Sequence, residues 1–310
     1  MGTEQSPTIK VQSIVEKNKL LQWLYTLGDK ILSLSELLNK LSTVTNLNQY
    51  AETVLDFYGI EIVNQLKTGP EWMEESNNAG VIIYGPHTSI LGPLAVMQEA
   101  KLPTFISIPT VKVVIPDSLH SYFISVTPSN LGKREDGSKT KPPKSLLRNL
   151  RLVFYPEEIA SKTVEEIRNE NTSALNKAKS ELEKGGRVTI FPTSGQDITH
   201  NWYLGLGRLV KDQLESNKPF WLQPFIIEPN LNTFKFTSLY LAKKIAKKVK
   251  SILNPQSSKD HICQVSFRWL EPMKVEPGSD LWEDLKKSSP KEIVSYLQDN
   301  FSEQVSQSTQ

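Results

Sequence analysis

A chain of 310 residues, 38% hydrophobic and 23% charged, is long enough for a sizeable core and one or two domains. Its formal net charge of +2 is too small to point to a nucleic-acid partner, and its single cysteine, Cys263, excludes an internal disulfide. Four scattered histidines beside that cysteine do not make a Cys/His zinc site, so no metal or other cofactor is expected.

The first residues, Met1 to Ser6, lead into polar sequence without a signal-peptide core. No stretch reaches the roughly 20 apolar residues that span a bilayer. The expectation is a cytoplasmic chain that can still lie on a membrane surface. From about Ile9 to Leu66 the pattern is helical: Ile14, Leu20, Leu21, Trp23, Leu24, Leu27, Ile31, Leu34, Leu38 and Leu41 recur at three- and four-residue steps. Thr68-Gly69-Pro70 breaks that pattern, and Glu74 to Gly80 reads as a linker. A small N-terminal helical domain is therefore expected over 1–75, with a second domain over 76–310.

Beyond the linker, short β-branched runs alternate with helical stretches. Strands are expected at 81–84, 104–108, 123–127, 187–192, 220–227 and 264–270, and helices at 172–184 and 238–253. That alternation predicts an α/β domain with a mixed, largely parallel sheet flanked by helices. The segment from Ser129 to Arg151 holds seven basic and two acidic residues, a local charge of +5. Most of these side chains fit a solvated surface. Lys133 and Arg134, nearest the strand exit at Thr127, are candidates for holding an anionic ligand. Residues 239–253 carry Leu241, Ile245, Val249, Ile252 and Leu253 on one helical face and five lysines elsewhere. Such a helix either packs on the sheet or meets anionic phospholipid.

Two polar segments follow strands directly. Val81-Ile82-Ile83-Tyr84 runs into Gly85-Pro86-His87-Thr88-Ser89, and Val188-Thr189-Ile190-Phe191 runs into Pro192-Thr193-Ser194-Gly195-Gln196-Asp197. Ligands of open α/β sheets gather at the carboxyl ends of strands. An imidazole such as His87 is suited to general-base work near neutral pH, and a small-residue turn makes a nest of backbone amides for an anion. Thr88 and Ser89 can equally cap a helix. There is no Gly-x-Ser-x-Gly elbow, no P-loop and no Gly-x-Gly-x-x-Gly turn, which argues against a hydrolase of the α/β type and against nucleotide binding.

Pro86-His87-Thr88-Ser89 resembles the first block of the glycerolipid acyltransferase superfamily, a His followed four residues later by an Asp. Phe191-Pro192-Thr193-Ser194-Gly195 resembles a later block, Phe-Pro-Glu-Gly-Thr-Arg. Pro192 to Asp197 is closer still to the Pro-Ser-Gly-Gly-Arg-Asp of soluble plastid-type glycerol-3-phosphate acyltransferases. Leu222-Gln223-Pro224-Phe225-Ile226-Ile227 is similar to the apolar-Pro-apolar block. The resemblance spans roughly residues 80–230, and the N-terminal region resembles the plastid enzymes' helical domain. It implies transfer of a fatty acyl group from acyl-CoA or acyl-carrier protein to glycerol-3-phosphate or a lysophospholipid.

In that reading His87 is the base, and Thr88, Ser89, Lys133, Arg134, Thr193, Ser194, Gly195 and Gln196 bind substrate. The partners implied are an acyl thioester, an anionic glycerol-phosphate acceptor and an anionic membrane surface. The chain departs from the pattern twice. The orienting Asp falls at Gly92, and the motif arginine at Gln196. Loss of an orienting Asp lowers turnover by about 10⁴ in serine proteases. Asp197 is the substitute expected to hold His87, with Asp117 second. Arg187 and Arg208 join Lys133 and Arg134 as candidates for phosphate. The alternative is a catalytically inactive relative that binds lipid or a protein partner.

Overall fold

The computed structural model describes residues 26, 33–64, 79–86, 91–100, 103–107, 115–127, 162–193, 202–228, 238, 240–244 and 262–307. In chain order these form α1 (Leu34–Leu41), α2 (Leu47–Tyr58), β1 (Ile60–Asn64), β2 (Gly80–Tyr84), α3 (Leu91–Glu99), β3 (Thr104–Ser107), a 3₁₀ turn (Asp117–Tyr122) and β4 (Phe123–Ser125). There follow α4 (Val164–Glu183), β5 (Arg187–Ile190), α5 (Gly205–Glu215), β6 (Phe220–Glu228), β7 (Cys263–Trp269), β8 (Met273–Val275), α6 (Asp280–Lys287) and α7 (Pro290–Gln307). The sheet is mixed and mostly parallel, flanked by helices, as the alternating pattern predicts.

The chain groups into two compact units, one of residues 1–53 and 105–177, the other of residues 54–104 and 178–310. The domain boundary expected at 75/76 lies outside the described residues. So does most of the expected helix at 238–253, which is helical where described, at 238 and 240–244.

In the first unit, α1 buries Leu37, Leu38 and Leu41, one face of the apolar spacing that predicts it. β3 and β4 pair in parallel, and the rings of Phe105 and Phe123 stack at 5.4 Å. The Asn171 side chain closes the exit of β4. Its amide nitrogen donates to the Thr127 carbonyl at 2.7 Å, and its oxygen accepts from the Thr127 amide at 2.9 Å. α4 starts with a reciprocal cap, in which the Thr163 amide donates to the Glu166 carboxylate and the Glu166 amide to the Thr163 hydroxyl.

In the second unit the strand order is β1-β7-β6-β2-β5, with β8 also against β6. β2 is parallel to both β5 and β6 and is buried along its whole length. That burial on both faces explains its continuous Val-Ile-Ile-Tyr run. β7 alternates buried Cys263, Val265, Phe267 and Trp269 with more exposed residues, as a strand with one covered face does.

β1 corrects the sequence reading, which extends helix to Leu66. Gly59 ends α2 in the left-handed region at φ 61°, and Ile60-Glu61-Ile62-Val63-Asn64 then pairs in parallel with Cys263 to Phe267. β-branched residues favour the strand, and their few apolar positions fit either period.

Pro224 stands in the interior of β6, where a proline removes a ladder donor. The neighbouring chain is interrupted at the same level: β7 stops at Trp269 and β8 starts at Met273. The Leu270 amide donates to the Pro224 carbonyl at 3.0 Å. The buried Gln223 amide donates to the Pro224 and Leu270 carbonyls at 2.7 and 2.8 Å.

Candidate functional site

The parallel register of β5, β2 and β6 aligns Ile190, Tyr84 and Pro224 in adjacent strands. Two of the sequence blocks, those after Tyr84 and Ile190, therefore leave the sheet side by side at one carboxyl edge, and the third, Leu222 to Ile227, runs beside them within β6. Phe225 is the residue they share. A Cβ at Gly85 would lie 2.6 Å from the Phe225 carbonyl and 2.7 Å from its ring, so β2 leaves the sheet there only with glycine. The Phe191 ring meets the Phe225 ring at right angles, with centroids 6.2 Å apart.

Gly92, in the first turn of α3, is held in the same group. A Cβ on it would sit 3.3 Å from the Pro86 carbonyl oxygen, 3.7 Å from Phe191 Cε1 and 4.0 Å from Phe225 Cε2. Gly92 is thus bordered by two aromatic rings and a carbonyl.

Of the residues expected to act here, Thr193 is described: it is 1% exposed, just beyond β5. His87, Thr88, Ser89, Lys133, Arg134, Ser194, Gly195, Gln196 and Asp197 lie outside the described residues. The described ends of 87–90 and 194–201 do stand at this edge. Pro86 and Leu91 flank Gly92 within one residue on one side and six on the other. Tyr203 donates its amide to the Pro192 carbonyl at 2.9 Å, and the Trp202 ring lies 5.8 Å from that of Tyr84.

Three further candidates are placed. Arg187 is corrected: it opens β5, at the amino end of the strand. Three residues at about 3.3 Å each put it roughly 10 Å from the carboxyl edge, and burial lowers its pKa. Arg208 is exposed one turn into α5, on the side of the edge. Asp117 belongs to the first unit, where its carboxylate lies 3.2 Å from His120 Nε2.

The sequence reading does not pick out the aromatic layer beneath the edge. Tyr84 is fully buried, Trp202 is 5% exposed, and Phe301 of α7 lies 5.4 Å from Trp202. The Tyr84 hydroxyl and Trp202 Nε1 make no hydrogen bond. Burial, with Tyr296 nearby, pushes the Tyr84 phenol far above its ordinary pKa, so it stays a neutral hydroxyl. Its apolar place in the Val-Ile-Ile-Tyr run is the one sequence signal for it. Among the described residues no group of three His, Cys, Asp or Glu side chains could hold a metal ion, and no helix is long and apolar enough to cross a membrane.

No protein-family model matches the chain, and no curated protein matches it. Among solved structures, a 1-acyl-sn-glycerophosphate (LPA) acyltransferase, PlsC, from Thermotoga maritima is similar at 12% identity, with 94% of each chain covered and a TM-score of 0.32. At that score the likeness carries neither fold nor activity across to this chain.

Proposed function

We propose that the chain transfers a fatty acyl group from a CoA or acyl-carrier-protein thioester to the hydroxyl of a glycerol-phosphate or lysophospholipid acceptor. The observation that supports this reading is that three separate sequence blocks, each resembling the acyltransferase pattern, lie on three adjacent parallel strands, two of them leaving the sheet at one carboxyl edge beside Phe225 of the third. In this reading His87 takes the acceptor's hydroxyl proton as its oxygen attacks the thioester carbonyl. Backbone amides of Thr193 to Gln196 stabilise the tetrahedral oxyanion. The C–S bond breaks, and the thiolate leaves with the proton returned by His87. Asp197 orients the imidazole, and Lys133 and Arg134 hold the acceptor phosphate. Thr88 and Ser89 complete the acceptor's surroundings.

The second reading, an inactive relative that binds lipid, is favoured by Gly92, which supplies no orienting carboxylate and where an added Cβ would crowd the Pro86 carbonyl at 3.3 Å. Acyl transfer from long-chain acyl-CoA and acyl-carrier protein to glycerol-3-phosphate and lysophosphatidate separates the two. The proposal expects turnover in the wild type and a loss of about 10²–10⁴-fold in His87→Ala. Absence of turnover with either donor, with lipid binding retained, supports the inactive relative. Turnover unaffected by His87→Ala overturns the assignment of the base.

A further inference from the structure

Three large apolar side chains among the described residues are exposed: Tyr203 at 47%, Leu204 at 44% and Tyr296 at 42%. Single exposed apolar residues are ordinary, so what surrounds them decides. Leu204 already has helical geometry, its carbonyl accepting from the Arg208 amide at 3.0 Å. Leu204, Arg208, Asp212 and Glu215 follow one another at steps of four, four and three residues, so they form one outward stripe along α5. The inward face of that helix is complete without them, buried through Leu206, Leu209, Val210 and Leu214. Lys211, which borders the stripe, is turned to the end of α6, where its ammonium donates to the carbonyls of Lys286 and Ser288.

The stripe carries its charges in the order that least suits a lone helix. The macrodipole favours acids in the first turn and bases in the last. α5 has neither: Arg208 stands in its first turn, Asp212 and Glu215 in its last, and no side chain caps its amino end. Arg208 and Asp212 lie one turn apart with the base first, the weaker order for such a pair. Among the described residues neither of them stands in a salt bridge, and Glu215 reaches Lys179 of α4 only at 4.0 Å. Burial, with the Glu215 charge, raises the Asp212 carboxyl pKa, and Lys179 and Arg208 offset this only in part.

We propose that this stripe, with Tyr203 at its end, joins two copies of the chain as an antiparallel pair of α5 helices about a two-fold axis. A two-fold axis makes a face meet itself, so the face must be self-complementary, and this one is. With the axis level with Val210, Arg208 of each copy faces Asp212 of the other. Glu215 of each copy stands level with Gly205 of the other, at the uncapped amino end, where the dipole favours an acid. Leu204 and Tyr203 lie against the last turn of the other helix and lose their exposure to water. Each charge that is ill placed in one chain is thus well placed in two. The inference does not rest on the transferase reading.

The test is sedimentation velocity of the full chain over a concentration series. The wild type should pass from monomer to dimer as concentration rises. Arg208→Asp sets two pairs of like charges across the axis, and so does Asp212→Arg. Each variant alone should associate at least about tenfold more weakly, with its circular dichroism unchanged. An equimolar mixture of the two should associate again, because each new charge then faces its opposite on the other chain. Leu204→Ser should associate about fivefold more weakly, and Tyr296→Ser, which changes an exposed side chain on α7, should behave as the wild type does. The proposal is overturned if the wild type is monomeric throughout the series, if both charge reversals leave association unchanged, or if their mixture associates no better than either alone. It is also overturned if Tyr296→Ser weakens association as much as Leu204→Ser. Should a charge reversal unfold the chain, the comparison of Leu204→Ser with Tyr296→Ser still decides.

Discussion

Gly92 shows how one missing side chain shapes the edge. A Cβ there would crowd the Pro86 carbonyl at 3.3 Å and touch Phe191 and Phe225 at ordinary contact distance. Gly92→Asp would press a Cβ against the Pro86 carbonyl oxygen and add a carboxylate at a buried position beside two aromatic rings. A helix N-terminus favours a negative charge by about 0.3–1 kcal/mol, but an unpaired buried polar group costs about 1–3 kcal/mol or more. The penalty wins. Gly92→Asp is expected to lower the melting temperature by several degrees and to leave acyl transfer no faster than in the wild type. A variant of unchanged stability and higher turnover would show instead that the rings make way for the acid.

Elements carry their own weak points, and β6 has its own at Pro224. The Gln223 amide bridges the gap between β7 and β8 by donating to the Leu270 carbonyl, and both residues are buried. Gln223→Leu keeps the volume and removes the donor. It should destabilise the fold by about 1–3 kcal/mol, read by denaturant unfolding. A change within experimental error would mean that the carbonyl finds another donor. This element also marks the limit of the sequence. Gln223-Pro224-Phe225 is legible as a block, but its service to a broken neighbouring strand is not, because that depends on a pairing more than 40 residues away. The same holds for β1, which follows α2 after a single glycine and pairs with a strand 203 residues on. β8, three residues long, offers no period to detect. The strands that were legible, β2 to β7, are the β-branched runs closed by Gly, Pro or polar residues. At the edge, the three blocks were legible one by one. Their meeting at Phe225 follows from the strand order β6-β2-β5, which no local pattern encodes.

At the scale of the whole molecule, fully buried Tyr84 and half-buried Tyr58 tie the fold to alkaline pH. Burial, with Tyr240 beside it, pushes Tyr58 up to about 12, and burial with Tyr296 nearby raises Tyr84 further. A folded pKa above the unfolded value, near 10 for tyrosine, gives stability that is fully present below that pH. It is lost as pH rises, because the unfolded chain releases protons that the fold retains. The prediction is an ultraviolet phenolate titration in which exposed tyrosines ionise first. The remainder should appear only with the loss of circular dichroism. Tyr84→Phe separates this from general alkaline damage. It removes a hydroxyl that has no hydrogen-bond partner, so it should be neutral or stabilising by up to about 1 kcal/mol at neutral pH. It should also move the alkaline midpoint upward. A Tyr84→Phe protein that unfolds at the wild-type pH would show that this phenol does not govern the transition. One that is clearly less stable at neutral pH would show that the hydroxyl is satisfied after all, by a group such as a bound water.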